Sequence, residues 1–311
     1  MNALLALGAI TIALPGKPGT MVQLNRELAS LCTTFHGRVG YAVKNLKTGQ
    51  TIALRENEEF PSASTIKTAI LIEVANQIEE GKLAWTTAIP LPPEKARSSS
   101  MWTAFLRDGL SVNVDGLANL MMNVSDNTAA ILLSDKVGVE NIERRMIGFG
   151  LLNTACTIHV PPNNPRLTDL RTRFQNMGVT SPRDMALLLQ RIYEKKATHS
   201  VAAGERLLRI MSHEYWDDYF TGQIPPGTYV CSKVGALNRS RSDVAIVFGN
   251  NPYILTVYTA EDTDTSWGPH NEAEDLLRHI SALVWKRMEP HSPYSEPPDA
   301  PHWYPTGAGV E

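Results

Sequence analysis

The sequence predicts a fold of the α/β plus all-α class, with a sheet assembled from distant segments and a helical domain inserted between them. Three observations predict it. Strand-like runs occur at 39–56 and again at 228–260, helical apolar periods fill the region between, and an amphipathic helix follows the last strand. The corresponding division is an apolar leader at 1–20, a sheet domain from 21–61 and 206–289, a helical domain at 62–205, and a proline-rich disordered tail at 290–311.

Taken in order, the leader M-N-A-L-L-A-L-G-A-I-T-I-A-L-P-G is too short to span a bilayer. It reads as the core of a secretory signal, or else as an N-terminal core strand or helix. The first reading places the protein in the periplasm or outside the cell, the second leaves it cytoplasmic. Residues 39–56 form two strands around a Lys-Thr-Gly turn. From 65 to 80 the period becomes helical, with Ile66, Ala69, Ile70, Val74 and Ile78 on one stripe and Gly81 as the stop. Leu117, Leu120, Met121 and Val124 make a second stripe, and 128–137 and 139–149 two further helices. The stretch 157–179 reads as a polar loop rich in Pro, Asn and Arg, and Thr180-Ser181-Pro182-Arg183-Asp184 as a strong helix start. Strands return at 228–234, 243–249 and 253–260, and Leu276, Leu277, Ile280, Leu283 and Val284 mark the last helix.

A net charge of −3 gives no reason to expect nucleic acid or an anionic membrane surface as partner. Cys32, Cys156 and Cys231 show no C-x-x-C spacing and read as small buried hydrophobes; the histidines lack zinc spacing. No metal and no cofactor is expected. A monomer acting on a small-molecule or peptide-like substrate, without a membrane span, is the expected state.

Three short segments carry chemistry. In S-A-S-T-I-K-T-A-I, Ser64 and Lys67 stand three residues apart at a helix start, so both project to nearly one face. A serine hydroxyl needs a neighbouring base to become a nucleophile, and a lysine of lowered pKa serves. Alone the pattern means little, since average residue usage gives roughly one S-x-x-K per chain of this size. Ser125-Asp126-Asn127 joins two helices and is equally plausible as a cap. Lys233-Val234-Gly235 ends a strand, where a small residue would let substrate backbone lie alongside, and Arg239 and Arg241 follow as a cationic rim for a carboxylate.

Together, in this order and on these elements, S-x-x-K, S-D-N and K-x-G resemble the serine β-lactamase and penicillin-binding-protein superfamily, class A β-lactamases most of all. The resemblance covers about residues 25–288 and includes F-P-S-A-S-T-I-K, M-M-N-V-S-D-N-T-A and V-T-S-P-R-D-M-A. It implies a β-lactamase-like fold, with an antiparallel sheet flanked by helices and the site in a groove beside the helical domain. It implies Ser64 as the acylated nucleophile, Lys67 as its base, Ser125 as proton donor to the leaving atom, and Lys233 as a field beside Ser125. Asn127 would hold Lys67 and substrate, and the N–H groups of Ser64 and Ala236 would form the oxyanion hole.

Two departures stand out. Class A enzymes carry a loop glutamate that activates the deacylating water, yet no glutamate occurs between Glu143 and Glu194. Asp169 is the only acid in the loop, either a shorter catalytic base or a partner of Arg166, Arg171 or Arg173. Val234 replaces a hydroxylated residue, leaving Arg239 or, preferably, Arg241 to bind a substrate carboxylate. The expected function is a serine hydrolase acting through an acyl-enzyme on amide, β-lactam or ester bonds, and a poor β-lactamase. The alternatives are a penicillin-binding sensor or trap, and a D,D-peptidase or acyl transferase.

Overall fold

Tyr41 and Val257 lie opposite each other although more than two hundred residues separate them, and that pairing closes the molecule's main sheet. The structure, a computed structural model, describes residues 19–97, 102–216, 218–268 and 270–297. In chain order the elements are α1 (Gly19–Cys32), β1 (Arg38–Asn45), β2 (Thr51–Leu54), β3 (Phe60–Pro61), a 3-10 turn (Ala63–Ile66) and α2 (Lys67–Glu79). Then come β4 (Ala88–Pro90), β5 (Ser111–Asn113), α3 (Val114–Asn123), α4 (Asn127–Val137), α5 (Val139–Gly148), β6 (Ala155–Cys156), α6 (Pro165–Phe174), β7 (Gly178–Thr180) and α7 (Pro182–Tyr193). The chain ends with α8 (Val201–Met211), β8 (Tyr229–Leu237), β9 (Ser240–Phe248), β10 (Tyr253–Ala260) and α9 (Glu272–Met288).

The five-stranded sheet has the order β2-β1-β10-β9-β8, antiparallel throughout. Strand alternation sends its side chains to two separate apolar cores. Val39, Tyr41, Val43, Ala245, Val247, Leu255 and Val257 face α1 and α9, where Leu24, Leu28, Leu277 and Val284 cover them. Val244, Ile246, Ile254 and Tyr258 face the other way, into the larger core with Ile66 and Ile70 at the head of α2. That second face carries the site.

Most predicted elements appear near their expected places. The exceptions are informative. Residues 157–179, read as a loop, contain α6: Asn164 caps it by accepting from Leu167 N, Pro165 opens it, and Leu167 and Leu170 bury its inner face. Residues 290–297, read as the start of a disordered tail, lie against the sheet domain, with Tyr294 on the α1/α9 core and Trp285 Nε1 donating to Ser292 O at 2.8 Å. The leader at 1–18 and the tail at 298–311 lie outside the described residues. Cys156 and Cys231 are buried, and burial pushes both thiols up to about 12. Among the described residues, no helix is long and apolar enough to cross a membrane.

Candidate active site

The 3-10 turn that carries Ser64 is held in an unusual geometry. Ala63, just before the serine, has φ +45°, a left-handed conformation that a non-glycine residue adopts only when its surroundings impose it. Ser62 N donates to Gly178 O at 3.0 Å on one side. On the other side β8 presses so close that a Cβ on Gly235 would stand 3.0 Å from both Ala63 Cβ and Ser62 O, and 2.6 Å from Ser242 Oγ. Gly235 therefore makes room for the nucleophile's own turn, while β8 remains the edge strand of the sheet. Ser64 itself stays partly exposed, and its Oγ has no hydrogen-bond partner among the described residues.

Lys67, one helical turn on, is fully buried. Its Nζ donates to the Ser125 carbonyl at 2.6 Å and to Asn127 Oδ1 at 2.7 Å, and lies 3.1 Å from Ser125 Oγ. Burial drives the pKa of this amine well below the ordinary lysine value, and the charge of Lys233 drives it further. The amine is thus within hydrogen-bond reach of the Ser125 hydroxyl, and a proton can pass between the two.

Ser125 sits at φ +60° at the α3–α4 junction. Asp126, buried, caps α4 through Ala129 N and also accepts from Thr103 N at 2.8 Å and Thr103 Oγ1 at 3.0 Å. In S-D-N the middle residue caps the helix, and the outer two meet Lys67. Lys233 is likewise fully buried, on the same face of β8 as Gly235.

Its partner was not anticipated. Glu214, in the segment between α8 and β8, bonds Lys233 Nζ with one carboxylate oxygen and accepts from Val234 N at 3.1 Å with the other. Only 3% of its side chain is exposed, and burial raises its pKa to about 7 against the lowering pull of Lys233. The segment is clamped beside the site, because Tyr215 N donates to Asn123 O at 2.7 Å and Trp216 Nε1 to Val124 O at 3.3 Å. Nothing in S-H-E-Y-W marks this glutamate; no period or spacing links it to the three motifs.

A sequence profile of the beta-lactamase enzyme family matches residues 23–288. The chain belongs to that family. A β-lactamase of Rhodobacter capsulatus is 27% identical to it over 90% of this chain and 94% of its own length. Among solved structures, PBP-A superposes with a TM-score of 0.74 at 23% identity, covering 87% of this chain and 97% of its own. The β-lactamase of Sphaerobacter thermophilus superposes with 0.75 at 22%, covering 87% and 98%. The molecule is thus a serine hydrolase with the β-lactamase fold.

Two residues expected at the site lie elsewhere, each for a geometric reason. Asp169 lies on the outward side of α6, its side chain 64% exposed, and accepts from Arg173 Nε at 2.9 Å; it is the surface partner of an arginine, not a base beside Ser64. The helical period that buries Leu167 and Leu170 turns it outward. Arg241 is fully buried on the opposite face of the sheet, because β9 begins at Ser240 and its alternation directs Ser242 toward the Ser64 turn and Arg241 toward α9. There it donates to Glu274 Oε1 at 2.9 Å, to Ser266 O at 2.9 Å and to the Leu237 carbonyl, buried and turned away from the face that carries Ser64. Ala236 continues β8 at the sheet edge, half-buried, with its strand partner Arg241 on the inner side only.

Proposed function

We propose that this serine hydrolase works through an acyl-enzyme on Ser64 and clears that acyl-enzyme slowly. The observation that carries the reading is the buried, deprotonation-prone Lys67 held between Ser125 and Asn127 one turn from a partly exposed serine. Ser64 Oγ attacks the carbonyl carbon of an amide, β-lactam or ester, and its proton passes to Lys67 Nζ. The tetrahedral oxyanion is received by the N–H groups of Ser64 and Ala236, the first of which heads a helix and has no partner inside it. Ser125 then hands a proton to the leaving nitrogen or oxygen, regaining one from Lys67, as the bond to the acyl carbon breaks. Water completes the cycle by releasing the acid from Ser64.

The last step lacks its usual carboxylate. The inner face of α6 presents Leu167 and Leu170, and the only acid of that helix points outward. One related solved structure, a PBP-A variant, is described as an acyl-enzyme complex with penicillin G, which supports acylation on this fold. Intact-mass measurement after exposure to a penicillin or an activated thiolester tests the proposal. The expected result is an adduct on the wild type that persists for minutes to hours and is absent from Ser64→Ala. An equal adduct on both proteins, or none on either with every acyl donor, rejects it.

A further inference from the structure

The site holds its cations in an arrangement that bears on what it accepts. Lys67 is committed to Ser125 and Asn127. Arg239, in the turn after β8, donates to Asp262 O at 3.2 Å and Glu261 O at 3.3 Å. Arg241 is buried on the far face of the sheet. Lys233 remains, and the carboxylate of Glu214 is bound to it and to the adjoining Val234 N–H. Lys233 is therefore the buried cation of the three motifs that already holds a carboxylate, while Arg239 is exposed and bonded to backbone carbonyls.

We infer that Glu214 acts as a built-in substitute for a substrate carboxylate at Lys233, so that the site selects acyl donors whose leaving side is neutral. The inference rests on the acyl-enzyme reading, in which the family resemblance puts Lys233 on the leaving-group side with Ser125; the charge of Lys233 is felt at Lys67, which bonds Ser125. A carboxylate arriving there loses its hydration and finds a neutralised ion pair, which offers no attraction to offset that loss. Val234 adds no hydroxyl, and its backbone N–H is occupied. A carboxylate fixed next to the place where a competing carboxylate would bind is a repulsive element, the usual means of rejecting one ligand class while admitting another. The clamp of Tyr215 and Trp216 on the α3–α4 junction holds Glu214 in that position.

Two matched thiolesters test this: an acyl-glycyl thiolester of mercaptoacetic acid, whose leaving thiol carries a free carboxylate, and its methyl ester. Thiol release is followed at about pH 8, above the Glu214 pKa of about 7. The wild type is expected to take the methyl ester at least about tenfold faster in kcat/KM, and in Glu214→Gln that preference should fall by about tenfold or more, the scale of one lost charge interaction. A general loss of packing would lower both rates and leave their ratio unchanged, which counts against the inference. So does a wild type that hydrolyses the free acid as fast as the ester. Release from neither thiolester above the Ser64→Ala background rejects the acyl-enzyme reading and this inference with it.

Discussion

Two buried cation–glutamate pairs sit on the same pair of strands, and their side chains are equally hidden: 0% and 3% exposed for Lys233 and Glu214, 0% and 3% for Arg241 and Glu274. Burial is the same; what differs is how many partners each cation has, for both Glu214 oxygens are bonded while Glu274 Oε2 has no hydrogen-bond partner among the described residues. Arg241 spends its fork on Glu274, Leu237 O, Ser240 O and Ser266 O, and lies over the Trp267 ring 4.3 Å from its centroid. Glu274 also accepts from Tyr219 Oη at 3.0 Å. Among the described residues Glu214 has only Lys233 and one backbone N–H as hydrogen-bond partners, and burial raises its pKa to about 7. A point-charge ammonium makes a pair that can titrate; a planar guanidinium with fixed donors makes a strut. The difference teaches that a buried ion pair is read by its remaining partners, not by its depth.

Arg241→Ala should give the largest effect on stability. It takes the arginine from Glu274, which keeps only Tyr219 Oη at 3.0 Å and Arg278 at 3.6 Å among the described residues, and breaking a buried pair of this kind costs about 3–5 kcal/mol. Glu214→Gln keeps the side chain's shape and leaves an amide oxygen to accept from Lys233 Nζ or Val234 N, so a loss below about 2 kcal/mol is expected. Urea denaturation of the two variants checks the contrast. Equal losses would break it.

Gly235→Ala comes next. The added Cβ meets Ser62 O, which belongs to backbone and cannot rotate away, so β8 and the 3-10 turn must separate. Overpacking of this kind costs about 1–3 kcal/mol. The expected signature is a fall in Ser64 acylation, measured by intact mass on protein still folded, that exceeds the small unfolded fraction.

How much of this was legible beforehand depended on how local the cause was. Ser64 and Lys67 share one turn of chain, and Ser125 and Asn127 flank a cap, so spacing alone brought each pair together. Glu214 meets Lys233 only through the tertiary path of the segment after α8, and no sequence pattern encodes that. Arg241 turned on where the strand begins: a strand read as starting near Asp243 leaves Arg241 free in a turn, whereas one starting at Ser240 commits it to the α9 side. Asp169 turned on α6, a helix of ten residues whose arginines hide its period.

A smaller effect, and a sharper test of which pair titrates, is the pH dependence of the charge preference. Above about pH 7 Glu214 is ionised and cancels Lys233; below it Glu214 is protonated and Lys233 stands uncompensated. The rate with the carboxylate-bearing thiolester, relative to its methyl ester, should therefore rise as pH falls through 7, by up to about tenfold. The other groups facing Glu214 are Lys67 on α2, Asp243 on β9 and Asp218 along the same pocket. Protonation of Lys67 slows both substrates alike and cancels in the ratio. Burial and, after it, the charge of Glu214 hold the Asp243 carboxyl well above the usual range, so Glu214→Gln is the control that separates the two carboxyls. The rise should vanish in Glu214→Gln; a rise that survives there would move the titration to another group.

The smallest effect belongs to Asp169→Asn. If α6 keeps its period, the side chain removed is an exposed one that shares Arg173 with Glu59, which stays 2.8 Å from the guanidinium. Exposed pairs of this kind contribute about 0–1 kcal/mol, and here a second carboxylate remains to hold the arginine. Stability should change by no more than about 0.5 kcal/mol, and the lifetime of the Ser64 adduct should stay within about twofold of wild type. The adduct lifetime is the decisive readout, since a catalytic base working through water is worth about a hundredfold or more. A lifetime lengthened on that scale would mean that α6 swings Asp169 inward once Ser64 is acylated, and the outward geometry of the free protein would then describe only its resting state.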